Sequence, residues 1–331
     1  MKLYGTVTNC TSLINISISE SHSSSTTTAI IVCESTTLSI GDSIQIDLGY
    51  VTDHDVIFTG YVKIIEQTVP DNIYTITATD VLIRAVDYFI VSANPDTPFS
   101  RQNIAAEDLV EDVLNLAGIT NYTAQATSFT LAINSVAEVN LISSYDYSKS
   151  IADIVAWHLW AGRDGTVYFK NRKPYVMTGA SGQPGDVADT PISGVSITDI
   201  GSDKNILSFS YIKSETELRN RIVVQGGIGI YAEASASSPY LPAGFYKTVL
   251  VANQIIDTQS IAEDSASYNL AMLNRLTKRI SASVIGDHRL QARRTVDVDE
   301  QYTGIDEDCY IYACSHQWSS SGYTVQLELR L

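Results

Sequence analysis

The chain has 331 residues, room for two domains or for two and an insertion, and is long enough to bury about three quarters of its unfolded surface without a disulfide or metal staple. Its 37 Asp+Glu against 21 Lys+Arg leave a formal net charge of −16, which argues against sequence-specific nucleic-acid binding, because neutralising phosphates takes clustered Lys and Arg. At 44% hydrophobic and 18% charged residues the composition is too apolar for disorder, and 19 Tyr beside Ile, Val, Ser and Thr runs predict a mainly β fold.

Up to about residue 90 the apolar residues repeat every second position. Ile14, Ile16 and Ile18 form one such run and Ile44, Ile46 and Leu48 another, with further strands at 58–66 and 73–79. Gly41-Asp42, Gly49-Tyr50 and Pro70-Asp71-Asn72 supply turn chemistry, so the region reads as a small barrel or sandwich. The Ser/Thr run from Ser21 to Thr28 has little to bury and predicts a mobile hairpin tip or a loop ordered by a partner. A short helix is expected over 80–89.

After Pro95 and Pro98 the period changes to 3.6. Asn103 is the expected N-cap of a helix carrying Leu109, Val110, Val113 and Leu114 on one stripe and ending at Gly118. A second helix is expected from Ser148 to Ala161, with Ile151, Ile154, Val155 and Leu159 buried and Gly162 as its stop. Arg163-Asp164-Gly165 then turns into a strand at 166–169. Residues 177–201 read as a connection, followed by strands at 206–211 and 221–225 and a helix over about 259–281. Val325, Leu327, Leu329 and Leu331 alternate in the last strand. The organisation expected is a β domain at 1–92, open to completion by a strand from 186–212, an α+β module at 93–185, and a second β domain with one helix at 201–331.

No stretch reaches the roughly 18 apolar residues of a membrane helix, and the first residues lack the apolar segment of a signal peptide, so neither membrane insertion nor general secretory export is expected. Cys309 and Cys314, five apart in a strand-like stretch, should point to opposite faces and not pair, while Cys10 and Cys33 read as small buried hydrophobes. Hydrolase, zincin, Walker and zinc-finger patterns are missing from the sequence, and the histidines at 22, 54, 158, 288 and 316 share no ligand spacing. Gly227-Ile228-Gly229-Ile230-Tyr231-Ala232 fits a dinucleotide fingerprint on paper, but no amphipathic helix follows to receive a pyrophosphate. The densest acidic group is Asp297, Asp299, Glu300, Asp306, Glu307 and Asp308, which reads as a solvated loop or channel wall. Trp157 and Trp160 would share a helix flank within reach of Asp153, as a core or interface anchor or as a sugar-stacking pair.

Several stretches, taken in order, resemble one family. Gly41-Asp42-Ser43-Ile44 followed by Phe58-Thr59-Gly60-Tyr61-Val62, then Ile73 to Asp80, resembles the first barrel of the phage tail and baseplate hub proteins, the late control protein D family of contractile injection systems. Asn103 to Gly118, Ser148 to Phe169, Glu217 to Gly226, and His316 with Gly322 to Leu329 resemble its later segments. The Ser21–Thr28 tract and the Tyr231–Tyr246 loop match no part of the pattern. The resemblance implies two tube-like β-barrel or sandwich domains flanking an α+β module, and a homotrimer that presents six similar units to a six-fold tail tube and adapts it to a three-fold spike or fibre. It implies a tail tube or distal tail protein above, a spike or fibre protein below and a tape measure protein as a further neighbour. It places the chain at the virion tail tip or baseplate after assembly in the host bacterial cytoplasm, with any cell-wall hydrolase on another protein. Three chains at −16 carry −48, which suits an acidic channel for genome passage. No catalytic residue, cofactor or metal is expected. The competing reading is a carbohydrate-binding or carbohydrate-active β-rich protein using Trp157 and Trp160, and a third is a monomeric surface adhesin.

Overall fold

The computed structural model describes residues 2–91, 99–127, 129–130, 141–155, 157–170, 191–274 and 277–330. The period-two N-terminal region forms β1 (Leu3–Val7), β2 (Cys10–Ser21), β3 (Thr28–Thr36), β4 (Ser43–Tyr50), β5 (Asp53–Thr68) and β6 (Ile73–Thr79). They pair antiparallel in the order β1-β4-β5-β6-β3-β2. Their alternation buries Ile16, Ile18, Ile44, Ile46, Leu48 and Ile76 almost completely. The β4–β5 turn is Val51-Thr52, two residues later than expected. Gly49 lies within β4, where a Cβ would stand 2.4 Å from the Asp53 carbonyl oxygen. It is there for close backbone approach.

The next segment forms α1 (Ile83–Asp87), β7 (Phe89–Ile90), α2 (Ala106–Leu116), β8 (Tyr122–Ala124), β9 (Ile142–Ser143), α3 (Ser144–Val155), β10 (His158–Ala161) and β11 (Val167–Lys170). Two sequence expectations fail here. Asn103 does not cap α2: it sits at φ 50, Ala105 occupies the cap position, and the first turn is met by Ala106 N donating to the Phe129 carbonyl. The second helix ends at Val155 instead of Ala161. Ser143 caps it by accepting from Asp146 N while its hydroxyl donates to the Asp146 carboxylate. Residues 158–161 then form β10, because the Arg163-Asp164-Gly165 turn closes a hairpin and a hairpin needs a strand on each side: Leu159 pairs with Phe169 and Trp160 with Tyr168. Leu109, Val113, Ile151, Trp157 and Phe169 share this module's own core.

The remaining elements are β12 (Pro191–Thr198), β13 (Ile206–Ser214), β14 (Arg221–Gln225), β15 (Tyr231–Ser235), β16 (Thr248–Ala252), α4 (Gln259–Leu273), β17 (Thr277–Ile285), β18 (Thr295–Glu300), β19 (Ile305–Ser319) and β20 (Gly322–Arg330). Residues 191–198, expected as part of a connection, are therefore a strand; residues 177–190 of that stretch lie outside the described residues. β12 and β13 pair with β18 and β17, strands of the C-terminal segment. The α4 helix stops eight residues short of the expected end. Ile280, Ala282 and Val284 alternate instead of repeating in threes and fours, and lie opposite Leu329, Leu327 and Val325. Thr258 caps α4 by accepting from Ile261 N. The helix packs Ala262 and Ala266 with Ile222 and Val224 of a separate three-stranded sheet, β15-β14-β16.

One seam joins the two ends of the chain. β19 pairs with β20 on one side and with β2 on the other, placing Cys314 opposite Glu20 and His316 opposite Ile18. A single sheet path runs from β1 to β13. One core holds Ile16, Ile46 and Phe58 from the N-terminal strands together with Ile197, Val296, Ile311 and Leu329. The Ser21–Thr28 connection is not left to a partner: His22 N donates to the Tyr312 carbonyl at 2.8 Å and Thr27 N to the Asp80 carboxylate at 2.5 Å. A register shift between Ile311 and Ala313 inverts the side-chain alternation of β19, so Cys309 and Cys314 are both buried and belong to the same core, contrary to the parity argument. All four cysteines are free thiols.

Candidate functional site

Three features stand out on the chain, two polar and one apolar. The first is a buried junction where the β10–β11 hairpin meets the seam. Glu20, on β2, and Cys314 and His316, on β19, are brought together by register, and Arg163 reaches them from the hairpin turn. Arg163 Nη2 donates to Glu20 Oε1 and to the Leu290 carbonyl, each at 2.7 Å, and Nη1 donates to the His288 carbonyl. Ala292 N also donates to Glu20 Oε1, at 3.1 Å. His316 Nδ1 lies 2.6 Å from the Tyr323 hydroxyl and Nε2 lies 3.0 Å from the Leu290 carbonyl. The Nε2–H tautomer satisfies both, with Tyr323 donating to Nδ1.

Burial, reinforced by Arg163, holds the His316 imidazole well below its ordinary range and therefore neutral. Burial pushes the Cys314 thiol well up. Burial works against the Arg163 charge, but the Glu20 carboxylate outweighs it. Glu20, Cys314 and His316 offer ligand atoms within 4.8 Å of one another. They do not suit a metal ion, because the guanidinium already stands 2.7 Å from Glu20 Oε1 and 3.1 Å from His316 Nε2. The trio is the socket of an arginine. Only pairing across the seam assembles it, so no local spacing in the sequence reveals it.

The second feature is the acidic group. β18 and β19 pair so that Asp297 faces Asp308, Val298 faces Glu307 and Asp299 faces Asp306. Directly opposed like charges weaken a sheet. Burial first, then Asp308, Asp306 and Asp299, raise the Asp297 carboxyl above its ordinary value. Lys278 Nζ stands 3.7 Å from Glu307. Glu300 is different: it accepts from Tyr302 N, Thr303 N and the Thr303 hydroxyl, closing the turn. Burial works to raise its carboxyl, but these bonds hold it below the usual range. Four of the six acids are thus a ladder of two opposed pairs, Glu307 lies opposite Val298, and Glu300 is a turn lock.

The third feature is an exposed aromatic patch. Ile228, Tyr231, Tyr240, Phe245, Tyr246 and Leu250 are all exposed. Tyr231 and Leu250 lie on β15 and β16 opposite Gln225 and Val223 of β14.

The tryptophan pair does not form a platform. Trp157 packs on Phe169 in the module core and Trp160 stacks on Tyr168, the two being only 3% and 7% exposed. They follow α3 instead of riding on it, and Asp153 instead pairs with Lys149. The fingerprint-like Gly227 to Ala232 segment is the β14–β15 hairpin turn and the first two residues of β15, with no helix behind it. Of the histidines, His22 and His158 meet edge to face at 4.6 Å, and His22 Nδ1 lies 2.8 Å from the Tyr310 hydroxyl. Burial, with Arg293 next, pushes His22 down to about 3. His54 pairs with Asp47 at 3.0 Å. Among the described residues no helix is long and apolar enough to cross a membrane.

A YQBQ-like family model matches residues 190–330, the segment from β12 to β20. No curated protein matches the chain. Among solved structures, the tail protein from Neisseria meningitidis MC58 is similar at a TM-score of 0.72 and 13% identity, covering 100% of this chain and 96% of its own. The 43 kDa tail protein of prophage MuSo2 from Shewanella oneidensis is similar at 0.70 and 14%, covering 99% and 98%. The E. coli c3393 protein, described as a type VI secretion component with structural similarity to T4 tail proteins gp27 and gp5, is similar at 0.57 and 7%, covering 98% and 76%. The chain therefore has the fold of phage tail and hub-like proteins, as its mainly β architecture and the order of its segments led us to expect.

Proposed function

We propose that this chain is a structural hub of a phage tail or baseplate. In this reading three copies form a ring that joins a six-fold tail tube, or a distal tail protein, to a three-fold spike or fibre, with a tape measure protein as a further neighbour. The observation that carries it is the seam: β2 and β19 hold two β units in one continuous sheet. Three such chains offer six units to a tube. We take the units as residues 1–92 and 201–331, flanking the 93–185 module. The fold shared with tail proteins over almost the whole chain supports the same reading.

The net charge of −16 per chain supports an acidic lumen through which DNA passes without adhering, and the Asp297–Asp308 ladder is the wall segment best suited to it. The reading places the chain at the virion tail tip, after assembly in the host cytoplasm, and gives no residue a catalytic role. Light scattering of the purified chain, with class averages of negatively stained particles, tests it. A mass of three chains and a ring with a central hole is the expected result. A monomer at every concentration would refute it, and a channel lined by Lys and Arg would refute the acidic lumen.

A further inference from the structure

The Ser21–Thr28 connection carries only Ser, Thr and His, yet both its ends are held. At one end Thr27 N donates to the Asp80 carboxylate. At the other, Arg293 Nη2 donates to the Ser21 carbonyl at 2.6 Å, while the His22 ring stacks on Tyr312 at 5.1 Å and meets His158 edge to face at 4.6 Å. His158 lies on β10 of the α+β module and Tyr312 on β19 of the seam, so His22 is wedged where the two meet. Between the ends, Ser21, Ser24, Thr26 and Thr28 form one side of a groove of about 500 Å3, lined elsewhere by Ser315, Gln326 and Glu328.

The wedge suits a neutral imidazole. Among the described residues the Tyr310 hydroxyl, 2.8 Å from Nδ1, is the ring's hydrogen-bond partner. An imidazolium carries two N–H donors where those residues supply one partner. It would also add a charge among cations. Arg293, Lys149 of α3 and Arg330 of β20 all act against a positive charge on the ring. Arg330 already lies 3.6 Å over the Tyr312 ring on which His22 stacks. The carboxylates of this network are committed elsewhere: Asp153 to Lys149, Glu328 and Glu217 to Arg330 at 3.5 and 3.9 Å, and Asp80 to the amides of Thr27 and Leu82. The low value of His22, about 3, agrees with this arrangement.

We propose that the His22–His158 contact is an acid-released latch, which pins the Ser21–Thr28 connection to the module at neutral pH and, on taking up a proton at His22, frees that end and widens the groove beside it. The sign follows from linkage. An imidazole depressed in the closed form supports closure fully above about pH 6.5 and loses that support as pH falls toward 3. In that window each pH unit multiplies the ratio of open to closed forms by about ten. An Asp80 carboxyl oxygen accepts from Thr27 N in either protonation state, so the connection turns about that end. Arg163 stays bonded to the carbonyls of His288 and Leu290, which do not titrate, so the module remains tethered while the latch opens. The latch works within one chain and does not depend on the ring.

The test is hydrogen exchange of the full chain from pH 7 to pH 4, read by mass spectrometry on peptides spanning 21–28 and corrected for the intrinsic rate. Wild type is compared with His22→Phe and with His22→Gln, either of which suffices if the other fails to fold. Asp80 titrates in all three proteins and cancels in the ratio of their opening constants. That ratio, wild type over variant, should rise about tenfold per pH unit between pH 6 and 4. Against His54→Gln, which changes a histidine outside the connection, it should stay constant. A ratio to the His22 variants that stays flat from pH 7 to 4, or wild-type exchange rising equally in the α3 peptide 144–155, would overturn the proposal.

Discussion

Replacing Arg163 with Met should uncouple the β10–β11 hairpin from the seam. The guanidinium is the cation paired with Glu20 among the described residues; the Glu20 side chain is 6% exposed and that of Arg163 15%. Its removal leaves the carboxylate with the Ala292 amide and takes a guanidinium donor from the carbonyls of His288 and Leu290, of which Leu290 keeps His316 Nε2–H. Breaking one side of a buried pair costs about 3–5 kcal/mol, whereas replacing both sides with apolar groups of similar volume is often near neutral. The Glu20→Met/Arg163→Met double variant should therefore recover most of the loss. At the roughly 2 °C per kcal/mol expected of a long chain, the single variant should melt about 6–10 °C lower. Differential scanning calorimetry of the wild type, both single variants and the double variant yields the coupling directly. An Arg163→Met melt within 2 °C of wild type, or a double variant as unstable as the single, would show that the junction is not the clamp its geometry suggests.

Asp80 offers a pH test. Burial raises its carboxyl to about 6 despite the amide bonds from Thr27 and Leu82. A carboxyl raised in the folded state favours folding in its protonated form, so this contribution is present near pH 4 and lost as pH rises toward 6, by about 3 kcal/mol. Asp80→Asn should flatten the stability profile between pH 4 and 6, as read from urea midpoints; an unchanged slope would contradict it. Gly286→Ala should destabilise by about 1–3 kcal/mol, because its Cβ would stand 2.1 Å from the Tyr323 ring, whereas Gly322→Ala meets nothing within 4 Å and should melt as wild type. Asp297→Asn should stabilise by about 0.2–1 kcal/mol by relieving the cross-strand repulsion. A lower melting temperature for that variant would mean that the ladder holds a counter-charge instead.

The strands of the first β unit were legible because a half-buried strand writes its burial into alternate residues, as Ile44, Ile46 and Leu48 do. Helix ends were less legible. Leu159 falls four residues after Val155 and so continues the helical stripe by coincidence, while the information that makes 158–161 a strand lies across the turn in 167–170. The burial of Cys309 and Cys314 was misread because a bulge at Ile311–Ala313 changes parity without leaving a Gly or Pro to mark it. The junction itself was invisible. Glu20 and Arg163 are 143 residues apart, and only the pairing of β2 with β19 sets His316 beside them. What could be read was the acidic excess and its densest segment; that the acids face one another across two strands required the register.

The seam also constrains how the chain reaches this structure. β2 begins at Cys10, and its partner β19 ends at Ser319, so the edge presented by β2 stays open until nearly the whole chain has emerged from the ribosome. Contacts this distant in sequence form late and slowly, and an unpaired edge bearing Ile14, Ile16 and Ile18 is a template for association with the wrong strand. At roughly 5–20 residues per second, synthesis of the intervening segment holds that edge open for some 15–60 s. The N-terminal β unit therefore waits for its neighbour, and a ribosome stalled before β19 would leave a nascent chain whose exposed strand invites aggregation.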